Sequence, residues 1–273
     1  MNTLENHTLL YDKECPLCNF YTAVFIRANM LDKNGRQPFN QLKSLKIKNI
    51  DVQRATNEIA LVDTKTNKVI YGIDSLLKVI GNSFPLVEKI GNVKPIYFLL
   101  QKLYSFISYN RKVIIPAELK KKEELVCEPD FNVKYRLLFI VLSIGITFYS
   151  LRYFSPLIKN LPSLSLTGEF LLAIGQIVFQ SLFFLGKNTK KTINYIGNLM
   201  TVSLFGSLGL LQLILLNAII TLPQFIVLSS FFGIVSFMFF EHKRRLKLLE
   251  LPSYLSYTWI LYRIIVLLIL LNI

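Results

Sequence analysis

The stretch His7-Thr8-Leu9-Leu10-Tyr11-Asp12-Lys13-Glu14-Cys15-Pro16-Leu17-Cys18 decides the reading of this chain. His7 to Tyr11 is a short apolar run of strand length, and the polar triplet Asp12 to Glu14 follows it at once. From Pro16 to Ala28 the apolar Leu17, Phe20, Tyr21, Val24, Phe25 and Ala28 recur at helical spacing and mark one face of a helix. Proline is favoured at the first helical position, so Cys15 is expected at the N-cap and Cys18 one turn in. The order is strand, tight loop, helix, with both sulfurs on one turn.

That placement predicts reactivity. A thiol at an N-cap faces free backbone N–H groups and the positive end of the helix dipole, which favour thiolate over thiol. Cys15 is therefore expected to attack, and Cys18, deeper and less exposed, to resolve the mixed disulfide. Pro16 stiffens the loop and removes a donor that the first turn would leave unpaired. Asp12 has two readings: a carboxylate that takes or relays the Cys18 proton, or a loop acid that caps the helix or stays solvated. Lys13 and Glu14 read as solvated loop charges. A structural zinc is the rival use of the pair, but it wants four ligands, and beyond the CxxC only Cys127, His7 and His242 are available. No metal and no cofactor are expected. Cys127 reads as an incidental linker thiol or as a third redox partner carried to the CxxC.

Working outward, Asp32 to Gly35 reads as a turn and Pro38 to Leu42 as a second strand. Glu58 to Val62 and Val69 to Tyr71 flank the polar Asp63 to Lys68 as a hairpin. One helix is expected from Asp74 or Ser75 to Gly81, another from Pro95 to about Tyr109. Lys112 to Asp130, with the run Lys120-Lys121-Lys122-Glu123-Glu124, reads as a solvated connector or a patch touching anionic lipid headgroups.

The composition changes after Arg136. The first 136 residues hold 21 Lys+Arg and 14 Asp+Glu, the last 137 only 10 and 3, in a chain of net charge +14 and 52% hydrophobic residues. A polar half thus precedes a membrane half. Leu137 to Ile158, Phe170 to Gly186 and Leu251 to Ile273 are apolar segments, and Thr192 to Phe240 runs 49 residues without a charge or histidine. A single crossing needs ~20 residues, so this last run is expected to fold back at Asn217 to Pro223, giving about five transmembrane helices. Gly197, Ser203, Gly206, Ser207 and Gly209 would let one helix approach its neighbours closely. Lys134, Arg136, Lys187, Lys190, Lys191, Lys243, Arg244, Arg245 and Lys247 border one side, Arg152 and Lys159 the other. By the positive-inside rule the N-terminal domain is cytoplasmic in a multi-pass integral membrane protein. Arg263 is expected near mid-bilayer, paired with Glu169 or snorkelling toward the C-terminus. Met1 to Tyr11 lacks the features of a cleaved signal peptide. With no cysteine in the membrane half and His242 alone there, neither an intramembrane thiol relay nor bis-histidine haem ligation is expected. The basic residues gather at membrane edges, so nucleic acid is not expected as a partner.

Asp12-Lys13-Glu14-Cys15-Pro16-Leu17-Cys18 after a strand resembles the DxxCxxC signature of the DCC family of thiol-disulfide oxidoreductases. Tyr71-Gly72-Ile73-Asp74-Ser75-Leu76-Leu77 is similar to that family's glycine-led helix start, and Ser108-Tyr109-Asn110-Arg111 to its closing asparagine-arginine. The resemblance implies an α/β thioredoxin-like domain, Cys15 and Cys18 as redox pair, and Asp12 as signature acid. Lys13 stands where many members have glycine. No proline lies between Pro38 and Pro85, so the cis-proline typical of thioredoxins is not evident. The expected organisation is a dithiol domain over 1–115, a charged linker over 116–135 and a transmembrane helical domain over 136–273. The expected activity is a membrane-anchored thiol-disulfide oxidoreductase of protein-disulfide reductase type, acting on a protein or small-molecule thiol or disulfide and possessing a surface for a membrane-protein partner. The alternative is a non-enzymatic docking or redox-sensing module whose CxxC is regulatory or binds metal.

Overall fold

A computed structural model describes residues 2–44, 50–116, 127, 129–159 and 166–271, and the chain divides into two compact units, 1–135 and 136–273. The first unit runs β1 (His7–Tyr11), α1 (Pro16–Arg27), β2 (Arg36–Pro38), a 3-10 turn (Phe39–Ser44), α2 (Val52–Asn57), β3 (Ala60–Asp63), β4 (Val69–Tyr71), α3 (Ile73–Ser83), α4 (Pro85–Gly91) and α5 (Lys94–Ile114). The strands form one mixed sheet in the order β2-β1-β3-β4, with β1 parallel to β2 and antiparallel to β3, and β3 antiparallel to β4. Side chains alternate across a strand, so the central pair supplies two cores at once. Leu9 and Leu61 pack on one face with Phe25, Leu31 and Val79, while Leu10, Ala60 and Val62 pack on the other with Phe39 and Leu42. Burial on both faces is why β1 and β3 read as continuous rather than alternating apolar runs.

Several expectations shift. The second strand lies at Arg36–Pro38, ahead of the expected Pro38 to Leu42, because proline has no N–H to extend the ladder and the chain turns into the 3-10 segment after it. The short helices α2 and α4 were not anticipated; each is under two full turns or close to it, too short for periodicity to register. α5 runs five residues beyond Tyr109, so Lys112 belongs to a helix and not to the connector. The Lys120 to Glu124 run lies outside the described residues.

The second unit is helical: α6 (Val133–Phe154, beginning just before the unit boundary), α7 (Leu166–Leu182), α8 (Thr189–Ile219), α9 (Gln224–Leu248) and α10 (Tyr254–Leu271). Three stretches, Val133–Leu157, Thr189–Ile219 and Gln224–Leu248, are long and apolar enough to cross a membrane; α7 and α10 are shorter apolar helices. α8 packs on α9 through its small residues. A Cβ on Gly206 would collide with Met238 Sδ, and one on Gly209 would lie 3.2 Å from Ile234. His242 is a core residue, with Tyr195 Oη 3.3 Å from its Nε2, Ser256 Oγ 3.1 Å from its Nδ1, and Trp259 stacked on its ring. The expected Glu169 to Arg263 pair is not formed. Glu169, in the first turn of α7, meets Arg152 Nη1 at 3.2 Å, and Arg263 lies 4.2 Å over the Trp259 ring, one helical turn back. The nearer cation at the end of α6 takes the carboxylate, and the indole face serves the other guanidinium.

Candidate active site

β1 delivers the chain to the edge of the first core, and α1 carries it back across the sheet, so the loop between them is held at both ends. Within it, Asp12 Oδ1 accepts from the Glu14 N–H at 3.0 Å, and the Cys15 N–H donates to the Asp12 carbonyl at 3.2 Å. Cys15 is the N-cap of α1 with Pro16 at the first helical position, and its Sγ accepts from the Cys18 N–H at 3.5 Å. Two elements of the first turn thus converge on one sulfur. The hydrogen bond from the Cys18 side chain, opposed by burial and aided by the Cys18 N–H and by Arg111, brings the Cys15 thiol down to about 7. The same shared proton, with burial, holds the Cys18 thiol far above its ordinary range.

Exposure runs opposite to expectation. Cys15 is 0% exposed and Cys18 8%, so Cys18 is the less covered of the pair. The N-cap sulfur turns inward over the helix end, while Cys18 lines a pocket of about 250 Å³ whose walls also include Asp12, Tyr104, Ile107, Arg111 and Cys127.

Asp12 is neither a cap nor a solvated acid. It is buried, and its Oδ2 stands 3.2 Å from Lys112 Nζ and 3.7 Å from Arg111 Nη2, both ion-pair contacts without hydrogen-bond geometry. Arg111 is a hub that sequence reasoning left without a role. Its Nη1 donates to Ser108 Oγ at 3.0 Å and to the Asn57 carbonyl at 3.3 Å, and its Nη2 to the Thr56 carbonyl at 2.8 Å and to Cys127 Sγ at 3.4 Å. Ser108 Oγ also donates to the Asn57 carbonyl. Burial works against the guanidinium charge, and Cys127, Cys18 and Asp12 around it outweigh burial and raise its pKa. The signal for it was present in the closing asparagine-arginine, which the spacing of α5 brings back beneath the dithiol loop.

Cys127 is half-buried against the Leu10 and Ala60 core, and burial pushes its thiol up to about 12. It therefore shares the pocket with Cys18 instead of hanging in a connector. Among the described residues all peptide bonds are trans, and no three or more His, Cys, Asp or Glu side chains are grouped to hold a metal ion.

The sheet, the loop acid, the vicinal thiols and the buried arginine fall within one stretch, and residues 9–115 match the family of DCC1-like thiol-disulfide oxidoreductases. The match opens inside β1 and closes just past α5, so it takes in the CxxC and Arg111 and stops short of Cys127 and the helical unit. The match supports a thiol-disulfide redox role for this stretch. No curated protein and no solved structure matches the chain.

Proposed function

We propose that this protein is a membrane-anchored thiol-disulfide oxidoreductase that exchanges disulfides through Cys15 and Cys18. The observation that carries the reading is the pair of donors from Cys18 aimed at the N-capping sulfur of Cys15, with its thiol near 7. The Cys15 thiolate attacks one sulfur of a substrate disulfide, and the other substrate sulfur leaves as thiolate. Asp12 takes the Cys18 proton, and the Cys18 thiolate then attacks Cys15 Sγ, forming the internal disulfide and releasing the second substrate thiolate. Because Cys15 is fully buried, substrate reaches its sulfur only through a local opening of the site. In a reducing compartment the net direction is substrate reduction.

A thioredoxin-like fold for the dithiol domain is supported by the strand order β2-β1-β3-β4, with a helix joining the parallel pair and a hairpin on the other side. The domain scheme is a dithiol domain over 1–115, a linker over 116–135 and a membrane domain over 136–273, with about five crossings and the dithiol domain in the cytoplasm. Nine basic residues bordering one side against two on the other support that orientation.

Full-length protein in detergent tests the chemistry. Equilibration in thiol buffers should give a reversible Cys15 to Cys18 disulfide, and Cys18→Ser should accumulate a mixed disulfide on Cys15. Failure to form the internal disulfide under any buffer ratio would sink the proposal.

A further inference from the structure

The pocket beside the dithiol has a composition that the exchange itself does not require. Its walls are largely carbon, from residues such as Leu17, Tyr104 and Ile107, and its volume of about 250 Å³ is that of a small molecule and not of a folded protein segment. Two buried charged residues share the same wall, with side chains only 4% and 6% exposed: Asp12, whose Oδ2 is neutralised by the Lys112 and Arg111 ion pairs, and Arg111, whose Nε has no hydrogen-bond partner. An apolar pocket with one spare N–H donor in its wall fits a ligand that is mostly hydrocarbon with a polar group. Of the two catalytic cysteines, Cys18 lines this space and Cys15, fully buried, is not among the lining residues.

We infer that the pocket admits a small, largely apolar thiol, which is the electron donor that returns the Cys15 to Cys18 disulfide to the dithiol. This rests on the redox reading above. The donor thiolate attacks Cys18 Sγ, the sulfur it meets in the pocket, and the sulfur–sulfur bond breaks with the electron pair leaving on Cys15. Departure from that side is favoured because Cys15 is the more stable thiolate. A second donor thiolate attacks the donor sulfur of the mixed disulfide and displaces Cys18, which takes up a proton. Two small thiols are oxidised to one disulfide, and one protein disulfide is reduced to two thiols. Glutathione, a charged tripeptide, matches the apolar walls poorly.

The test uses full-length protein in detergent, oxidised with diamide and then mixed with benzyl mercaptan, 2-mercaptoethanol or glutathione at equal thiolate concentration. Acid quench, alkylation and mass mapping follow each disulfide. Benzyl mercaptan should react with saturation and about tenfold or more faster than the other two, the gain expected from burying one aromatic ring. The transient adduct should map to Cys18. Ile107, partly exposed at the pocket wall, allows the cavity to be altered without cutting into the core. Ile107→Trp should bring the benzyl to mercaptoethanol ratio toward unity, and Ile107→Ala should extend acceptance to a naphthyl thiol. Equal, unsaturable rates for the three thiols, or an adduct on Cys15, would overturn the inference while leaving the dithiol reading intact. If no internal disulfide forms in the first place, the dithiol reading fails, and the inference with it.

Discussion

Cys15 owes its acidity to a neighbour more than to the helix end alone, because the Cys18 side-chain hydrogen bond is the largest contribution. The sign is simple: Cys15 is neutral below about 7 and anionic above it, so its alkylation rate by iodoacetamide should rise through that pH and then level off. Cys18→Ala should move the midpoint up toward the ~8.5 of a free cysteine, and Cys18→Ser less, since a hydroxyl still donates. An unmoved midpoint in Cys18→Ala would rule out that source. Arg111 makes a second prediction. Removing it leaves Asp12 buried with one cation in place of two, and Arg111→Met should cost up to about 3–5 kcal/mol in urea unfolding. Adding Asp12→Asn should recover part of that cost; strictly additive losses would mean that the two do not act as a pair. The dithiol was legible because its parts are adjacent in sequence and lie at a helix start. Arg111 was visible only as a resemblance, and Asp12 only as an undecided acid, because their pairing depends on α5 returning under the β1 to α1 loop, which no local pattern encodes.

At the level of elements, the hairpin and the helix after it turn on Gly72. Its φ of 64° and ψ of −133° suit glycine, and a Cβ there would lie 2.9 Å from Glu58 Oε2. Gly72→Ala should therefore cost about 1–3 kcal/mol of unfolding free energy, without moving the Cys15 midpoint. A neutral result would indicate that the junction relaxes. The hairpin was readable from its two β-branched runs and the polar residues between them. β2 was misplaced because Pro38 looks like a strand start from sequence and is a strand end in the sheet, where its partner is Tyr11. The same holds for α4, whose Pro85 opens a helix directly after α3 closes at Ser83. Two helices separated by one residue blur into a single ambiguous stretch when only periodicity is consulted.

Across the whole molecule, the division between a polar and an apolar half follows composition, and the small residues of α8 do the work that their spacing suggested. Gly206→Leu should lower the thermal midpoint in detergent, because Met238 already fills that space, whereas Gly145→Leu should change it little, since nothing lies within 4 Å of a Cβ there. Equal effects at both positions would argue against tight α8 to α9 packing. The Glu169 partner was misjudged because distance along the bilayer normal was the only criterion available, and Arg152 competes for it across a short connection. α8 has a further consequence through its length. Its 31 residues extend ~46 Å at ~1.5 Å each, against a hydrocarbon layer of ~30 Å. If α8 spans a bilayer, its opening turn with Lys190 and Lys191 would sit among the headgroups, which uses only part of the excess. The rest would be absorbed by tilt or by thicker lipid, so in the membrane-anchored reading acyl-chain length becomes a variable to which α8 responds.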